Sequence, residues 1–314
     1  SDRDGLGVNI DLIYRRKGLL FSNKASVDLS NSEREPVAFS QFSRANPYYR
    51  KKQENGVIPM YLERKTGLYG EDMLNPLYVW NIENTNTSKD LALRDNFTME
   101  WTTFDALRLR ARLGISKSIS KTEAFKSPNH TDFLQTEKLK KGSFSFNQNE
   151  SFSYNGDLNI IFGKIFKNIH QVNFVGGWSF SESRSESSGY SVVGFNDDFH
   201  KNPAYSTGFR ENQKPTYSND RRRSTSFFMN LNYSYDNRYL MDFNLRADGT
   251  SVFGSNKLFS TTWAVGLAWN VHNEEFIKKL GWINNLKIRG SIGNPGNENF
   301  DAYISQKTYV YNVE

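Results

Sequence analysis

The chain has 314 residues, no cysteine, a formal net charge of +6 and a mean hydropathy of -0.68, with 37% hydrophobic and 15% aromatic residues. A membrane-spanning helix, which takes about 20 consecutive apolar residues, is excluded because the longest apolar run, Trp263 to Trp269, is far too short; disulfides and thiolate metal sites are excluded with the cysteines. Nucleic acid is not an expected partner, since Lys and Arg are scattered and no recognition motif accompanies them. A membrane barrel stays open, because every second residue of its strands faces the lumen and its loops are hydrophilic.

In chain order, alternation of apolar and polar residues predicts strands over 8–14 and 19–29, joined by a short turn at Arg15–Gly18. A polar stretch over 30–92 follows, carrying Tyr48, Tyr49, Tyr61, Tyr69, Tyr78 and Trp80; it can pack on itself or on a partner, and self-packing is the simpler reading. The hairpin 93–103 and 107–118 comes next. Leu93, Phe97, Met99 and Trp101 share one parity, broken only by Asp95, and Leu107, Leu109, Ala111, Leu113 and Ile115 continue it. With the turn centred on Asp105, Glu100 stands opposite Arg110, with Arg108 and Arg112 beside them. Such a charged ladder suits a watery or protein-filled interior and would cost several kcal/mol against lipid.

Strands over 150–162 and 172–182 follow, joined by a short connection at 163–171, and then the hairpin 224–235 and 239–248. Centring its turn on Asn237 pairs Tyr235 with Tyr239 on an outward face and Asn232 with Asp242 on the lumen face, where Asn244 and Arg246 also point. Tyrosines at the turn end fit an interfacial aromatic girdle. Strand 260–271 turns Trp263, Val265, Leu267, Trp269 and Val271 outward, and strands over 285–293 and 302–311 complete eleven. Long connections at 30–92, 119–149 and 183–223 alternate with the short turns; the connections 249–259, 272–284 and 294–301 take their sides from strand counting alone. In bacterial barrels short turns are periplasmic and long loops extracellular.

The fold class is therefore all-β, an antiparallel transmembrane β-barrel of about eleven strands with long extracellular loops. Eleven strands leave an open sheet whose backbone groups would go unpaired in the bilayer, so residues 1–314 are expected to be part of one barrel domain of a probable 22-stranded barrel. The ends agree: Ser1 opens the chain without a Met or an apolar leader, and Tyr303 to Tyr311 is strand-like to the last residues.

No catalytic constellation is found. The four histidines, His130, His170, His200 and His272, are isolated, read as solvated loop or turn residues, and form no metal-ligand cluster. Gly176-Gly177 marks a bulge or a close approach. Asp197, Asp198, Asp220 and Glu211 have oxygen ligands for a hard cation but no EF-hand spacing, so no metal is expected. Arg221, Arg222 and Arg223 read as a solvated rim charge run, with lipopolysaccharide phosphate or an acidic partner as the functional alternative.

Specific words then narrow the family. Tyr233, Tyr235, Arg238 and Tyr239, then Arg246 to Gly254 with Asp248-Gly249 at its centre, then Trp263 through Trp269, Glu274-Glu275-Phe276, and Leu286 through Asn297 stand in an order and spacing that strongly resembles the SusC/RagA family of TonB-dependent outer-membrane transporters of Bacteroidetes. Leu20 to Ala25, Asn75-Pro76-Leu77 and Leu107 to Gly114 extend the likeness along almost the whole chain; Thr250, Val252 and Ile292 depart from the family's Ser, Arg and Tyr. Asp248-Gly249 and Gly293 with Gly296 around Pro295 read as turn chemistry rather than ligands.

The resemblance implies an N-terminal plug and a TonB-interacting segment outside these residues, contact with the TonB complex through that missing region, a SusD-like surface lipoprotein as a lid, and surrounding outer-membrane lipid and lipopolysaccharide. It implies nutrient uptake, as active import of an oligosaccharide or peptide substrate across the cell outer membrane without a cofactor. The alternatives are an outer-membrane barrel enzyme, a protease or lipase, which needs a clustered acid, base or nucleophile, and a soluble β-rich glycan-binding or adhesin protein.

Overall fold

The computed structural model describes residues 2–34, 42, 48–63, 73–104, 106–251 and 259–294. The long strands are β1 (Asp2–Arg16), β2 (Leu19–Glu33), β5 (Thr85–Phe104), β6 (Leu107–Lys126), β7 (Ser143–Phe166), β8 (His170–Val193), β10 (Thr216–Tyr235), β11 (Tyr239–Thr250), β12 (Phe259–Asn270) and β13 (Lys287–Asn294). They form one antiparallel meander, each hydrogen-bonded to the next in chain order. The short β9 (Gly208–Phe209) pairs with the free end of β8 and makes the sheet eleven-stranded, while β3 (Tyr61–Glu63) and β4 (Met73–Leu74) form a separate pair in the first long loop. The expected strand over 302–311 lies outside the described residues, as does Asp105.

Tight turns hold the short ends. Lys17 and Gly18 close the first hairpin with φ of 41° and 81°, and Asp236 and Asn237 take φ of 49° and 52° in the turn below β10. Gly, Asn and Asp tolerate this left-handed conformation best. Asn237 also ties down the next connection, because its carbonyl accepts from Asn270 Nδ2 at 2.7 Å and Asn273 Nδ2 at 2.9 Å. Connection 271–286 therefore lies at the same end as the tight turns, the side that strand counting assigns. Val271, expected as the last outward residue of its strand, is instead buried in the helical turn Val271–Asn273.

Glu274 is the clamp of this end. It accepts from Trp269 Nε1 at 3.0 Å, Tyr239 Oη at 2.9 Å and Arg238 at 3.0 Å, joining β11, β12 and the turn before β11.

At the other end the strands run far beyond their expected limits. β7 and β8 each contain 24 residues, against roughly 10 for a bilayer-crossing strand. The added length is polar on both parities, as in Ser181, Ser183 and Ser185 against Glu182, Arg184 and Glu186 of β8, so the ladder continues where alternation has vanished. Above it, three long connections knit together. Ser127 is fully buried and donates to Asp198 at 2.6 Å, Tyr78 donates to the Asn129 carbonyl at 3.4 Å, and Lys201 pairs with Glu83 at 2.7 Å. Phe195 packs edge-on against Phe125, ring centroids 5.1 Å apart, over Phe144 and Val192. Asn75-Pro76-Leu77 does not precede an irregular loop but starts the helix Pro76–Asn81, which Asn75 caps through Leu77 N. Of the aromatics in this first connection, Trp80 meets Phe42, Tyr48 is exposed, and Tyr69 lies outside the described residues.

Two tests follow from this packing. The hydrogen bonds from Trp269 and Tyr239, then the Arg238 charge, hold the Glu274 carboxyl below its usual range. A carboxylate depressed on folding adds stability that is complete above its unfolded pKa of about 4.3 and is lost as pH falls through the lower folded value. Thermal unfolding of the full-length barrel should therefore shift downward as pH falls below about 4, and Glu274→Ala should lower the melting point at neutral pH and flatten that acid dependence. A Cβ at Gly177 would lie 2.6 Å from the Phe228 ring and 2.7 Å from the Leu158 carbonyl oxygen. Gly177→Ala should cost about 1–3 kcal/mol through this overpacking, read as a lower denaturation midpoint.

Candidate functional site: the polar face of the sheet

Directly paired residues of antiparallel strands project to the same face. One row runs Tyr14, Phe21, Met99, Ala111, Leu158, Trp178, Phe227 and Ala247 across eight strands. The row toward the turns holds Leu19, Trp101, Leu109, Ile160, Gly176, Met229, Leu245 and Trp263. This face is apolar and open: Leu6 is 62% and Leu267 60% exposed.

The apolar band does not follow the rows. Leu6, Leu29, Leu91 and Ile119 share a row on β1 to β6 that becomes Glu150 and Glu186 on β7 and β8. Nearer the turns, Tyr235, Tyr239 and Trp269 stack in a row that β1 and β2 do not reach. A slab of constant thickness cuts the rows obliquely in this way when strands tilt by roughly 35–45° to a barrel axis.

The opposite face collects all eight expected polar positions. Glu100, Arg110 and Arg246 share one row with Asn159 and Gly177. Arg112 lies in the next row with Asp157, Ser179, Ser226 and Asp248, while Arg108 and Asn244 lie in the row on the other side and Asn232 with Asp242 one row further. Glu100 is opposite Arg110 and Asn232 opposite Asp242, as the turn centres require.

Side-chain bonding on this face differs from simple opposition. The ion pair of the first hairpin joins Arg112 to Asp157 on β7 at 2.8 Å, and Asn159 donates to the same carboxylate. Arg110 Nε is buried without a hydrogen-bond partner among the described residues. Arg246 pairs with Asp248, Ser179 bonds Ser226, and Asn232 donates to Asp242 at 2.7 Å, while Asn230 donates to Asn244. Asp157, Asn159, Ser226 and Asp248 thus join the candidates. The polar parity of Asn155, Asp157 and Asn159 is visible in the sequence, but only the register places it beside Arg112. Asp248 and Gly249, expected at a turn, lie in paired β11, and Gly293 lies in β13; Pro295 and Gly296 fall outside the described residues.

Other singled-out residues are bonded in place. His170 opens β8 and meets Tyr233 Oη at 2.8 Å, His200 meets Asp197 at 2.8 Å, His272 lies 3.0 Å from the Leu286 carbonyl, and His130 accepts from Asp132 N at 3.1 Å. These side chains are engaged rather than merely solvated. Burial first pulls the His130 pKa below its ordinary value, leaving the ring neutral at physiological pH. Asp198 serves Ser127 and Asn129, Asp220 pairs with Arg222, and Glu211 lies near Lys140; among the described residues no three metal-ligating side chains gather. The arginine run is not a solvated loop: Arg221 and Arg223 bracket Glu182, which also accepts from Tyr154. Gly176-Gly177 is a close approach without a register shift.

A family model described as TonB dependent receptor-like, beta-barrel matches residues 22–311. TonB-dependent receptor P39 of Formosa agariphila is 28% identical over 233 residues, 70% of this chain and 22% of that protein. TonB-dependent receptor SusC of Bacteroides thetaiotaomicron is 36% identical over 95 residues, 30% of this chain and 10% of that protein. Among solved structures, the RagAB peptide importer in its closed-closed state aligns with a TM-score of 0.67 at 19% identity, over 96% of this chain and 33% of that one. The chain spans 22% and 24% of the length of two Formosa agariphila relatives, P39 and P3. The resemblance carried by the sequence words agrees with these findings, and the fold agrees with a two-faced, tilted antiparallel wall. The chain belongs to the TonB dependent receptor-like β-barrel family.

Proposed function

We propose that these residues form part of the barrel wall of an outer-membrane importer that admits oligosaccharides or peptides, energised through TonB and working with a SusD-like surface lipoprotein. The observation that carries this reading is the division of one continuous ladder into an apolar face banded obliquely and a polar face bearing all eight candidate side chains. A bilayer takes the first and a water-filled lumen the second. Glu100, Arg108, Arg110, Arg112, Asn232, Asp242, Asn244 and Arg246 then line the lumen. The whole chain belongs to one barrel domain, with the plug and the TonB-interacting segment elsewhere in the full-length receptor. Wall residues that bond one another shape a passage rather than attack a substrate, in keeping with relatives named as receptors. The name of RagAB as a peptide importer supports peptides, and oligosaccharides stay in view as what the sequence resemblance implies.

Outer-leaflet lipid, including lipopolysaccharide, is the partner of the apolar face. Leu6, Leu29, Leu91 and Ile119 line a shallow groove of about 610 Å³ whose upper edge carries Lys89 and Lys121. Acyl chains fit the former and headgroup phosphates the latter.

Single cysteines in the full-length receptor test the sidedness. In intact outer membranes, cysteines replacing Asn244 or Asp242 should react with a water-soluble maleimide, and those replacing Leu113 or Leu267 should resist it and be shielded further by lipid; reversal of this pattern would sink the assignment. Cells carrying the receptor should lose growth on the imported oligomer when either the receptor or TonB is deleted. Undiminished growth in the TonB deletion on a substrate that requires the receptor would refute energised import.

A further inference from the structure

At the far end of the polar face, where β5 to β8 meet the long connections, lies a cavity of about 520 Å³. That volume suits a small ligand or one unit of an oligomer. Arg34, Lys126 and Arg210 line it together with Ser143, Ser145 and Ser191, and no carboxylate lines it among the described residues. The register sets Ser145 and Ser191 opposite each other across β7 and β8, and Ser143 and Lys126 are paired across β7 and β6, on the same face as Arg110 and Arg112. The cavity is thus the mouth end of the proposed lumen wall.

Charge pairing here is incomplete. Among the described loop carboxylates, Asp132 pairs with Lys126 at 2.6 Å, Asp197 with His200 and Glu83 with Lys201, Asp198 accepts from Ser127 and Asn129, and Glu211 lies 3.9 Å from Lys140. Arg34 and Arg210 have no ion pair among the described residues. His130, also in the lining, is held neutral by burial. Two guanidinium groups without a protein counter-charge, beside serine hydroxyls that donate or accept, form a site for a planar anion. A carboxylate matches the guanidinium fork through two parallel hydrogen bonds, which an ammonium or a neutral hydroxyl cannot reproduce.

We infer that this cavity is an anion subsite at the barrel mouth, which selects oligomers bearing carboxylate groups through Arg34 and Arg210. The inference rests on the import reading and narrows its substrate to acidic chains. Arg34 supplies a guanidinium from the end of β2, and Arg210 supplies a second from the residue after β9. Substrate charge is recognised before the oligomer descends along the wall.

Binding to the purified full-length receptor tests this with matched probes: a pentagalacturonate against its fully methyl-esterified form, and a pentaglutamate peptide against its pentaglutamine counterpart. The wild-type receptor should prefer the charged member of at least one pair by about tenfold or more, as charge-assisted pairing in a partly enclosed site allows. Which pair shows the preference identifies the carboxylate's source. Arg34→Gln with Arg210→Gln should erase that preference and leave affinity for the neutral member unchanged, and Arg→Lys at both positions should restore only part of it. Equal affinity for both members of both pairs in the wild type, or a preference that survives the double variant, would overturn the subsite. Failure of the import reading is distinguishable: TonB-dependent uptake with no charge preference removes the subsite alone, whereas receptor-dependent uptake unaffected by TonB deletion removes energised import. Heat-modifiable migration of the variants verifies that the barrel is folded.

Discussion

The structure depends on one interaction repeated without a break, the antiparallel backbone hydrogen bond that joins β1 to β13 through β2, β5, β6, β7, β8, β10, β11 and β12. In hydrocarbon an unpaired backbone amide costs several kcal/mol, so a wall crossing a bilayer keeps its ladder intact and leaves variation to side chains. Once the ladder is continuous, pairing fixes the face of every residue. A shift of β6 by one residue would carry Arg108, Arg110 and Arg112 to the face of Trp101 and send Leu109 to the opposite face. Among the described residues, the only register shift in the long strands comes at Thr102 and Phe104, beside the turn, where a displaced residue moves few others.

The two ends of the wall are held by different chemistry. At the turn end, left-handed Asp, Asn and Gly residues make tight reversals, and the Glu274 clamp gathers aromatic and cationic donors from neighbouring strands. At the loop end, strands outgrow the apolar band, and connections are joined through buried Ser127, capped helix Pro76–Asn81 and the Phe125–Phe195 contact. The first arrangement gathers Trp269, Tyr239 and Arg238 around one carboxylate. The second encloses a cavity in which Arg34 and Arg210 have no ion pair among the described residues, and there we place the proposed preference for acidic oligomers.

Membership of the TonB dependent receptor-like β-barrel family gives the two faces their setting. Receptors of this kind share a wall architecture while differing in what they admit, and fold by itself does not name a substrate. The polar side chains of the ladder bond one another, with Arg112 on Asp157 and Arg246 on Asp248. In the proposed importer, selection falls to the loop end, where the long connections approach one another.

The sequence by itself determined the existence of the strands, the parity of their faces and the centres of the tight turns, because side chains alternate with a period of two and turns need particular residues. Glu100 opposite Arg110 and Tyr235 opposite Tyr239 follow from those facts alone. It did not reveal the full strand lengths: beyond the apolar band both parities are polar, and alternation marks contact with an apolar medium rather than hydrogen bonding. Nor did it reveal that Arg112 bonds Asp157, that Asp248 is buried in a strand, or that Arg34 and Arg210 meet one cavity. Those positions are 45 and 176 residues apart for the two arginine pairings, and only the tertiary ladder, with its oblique shear, brings them together.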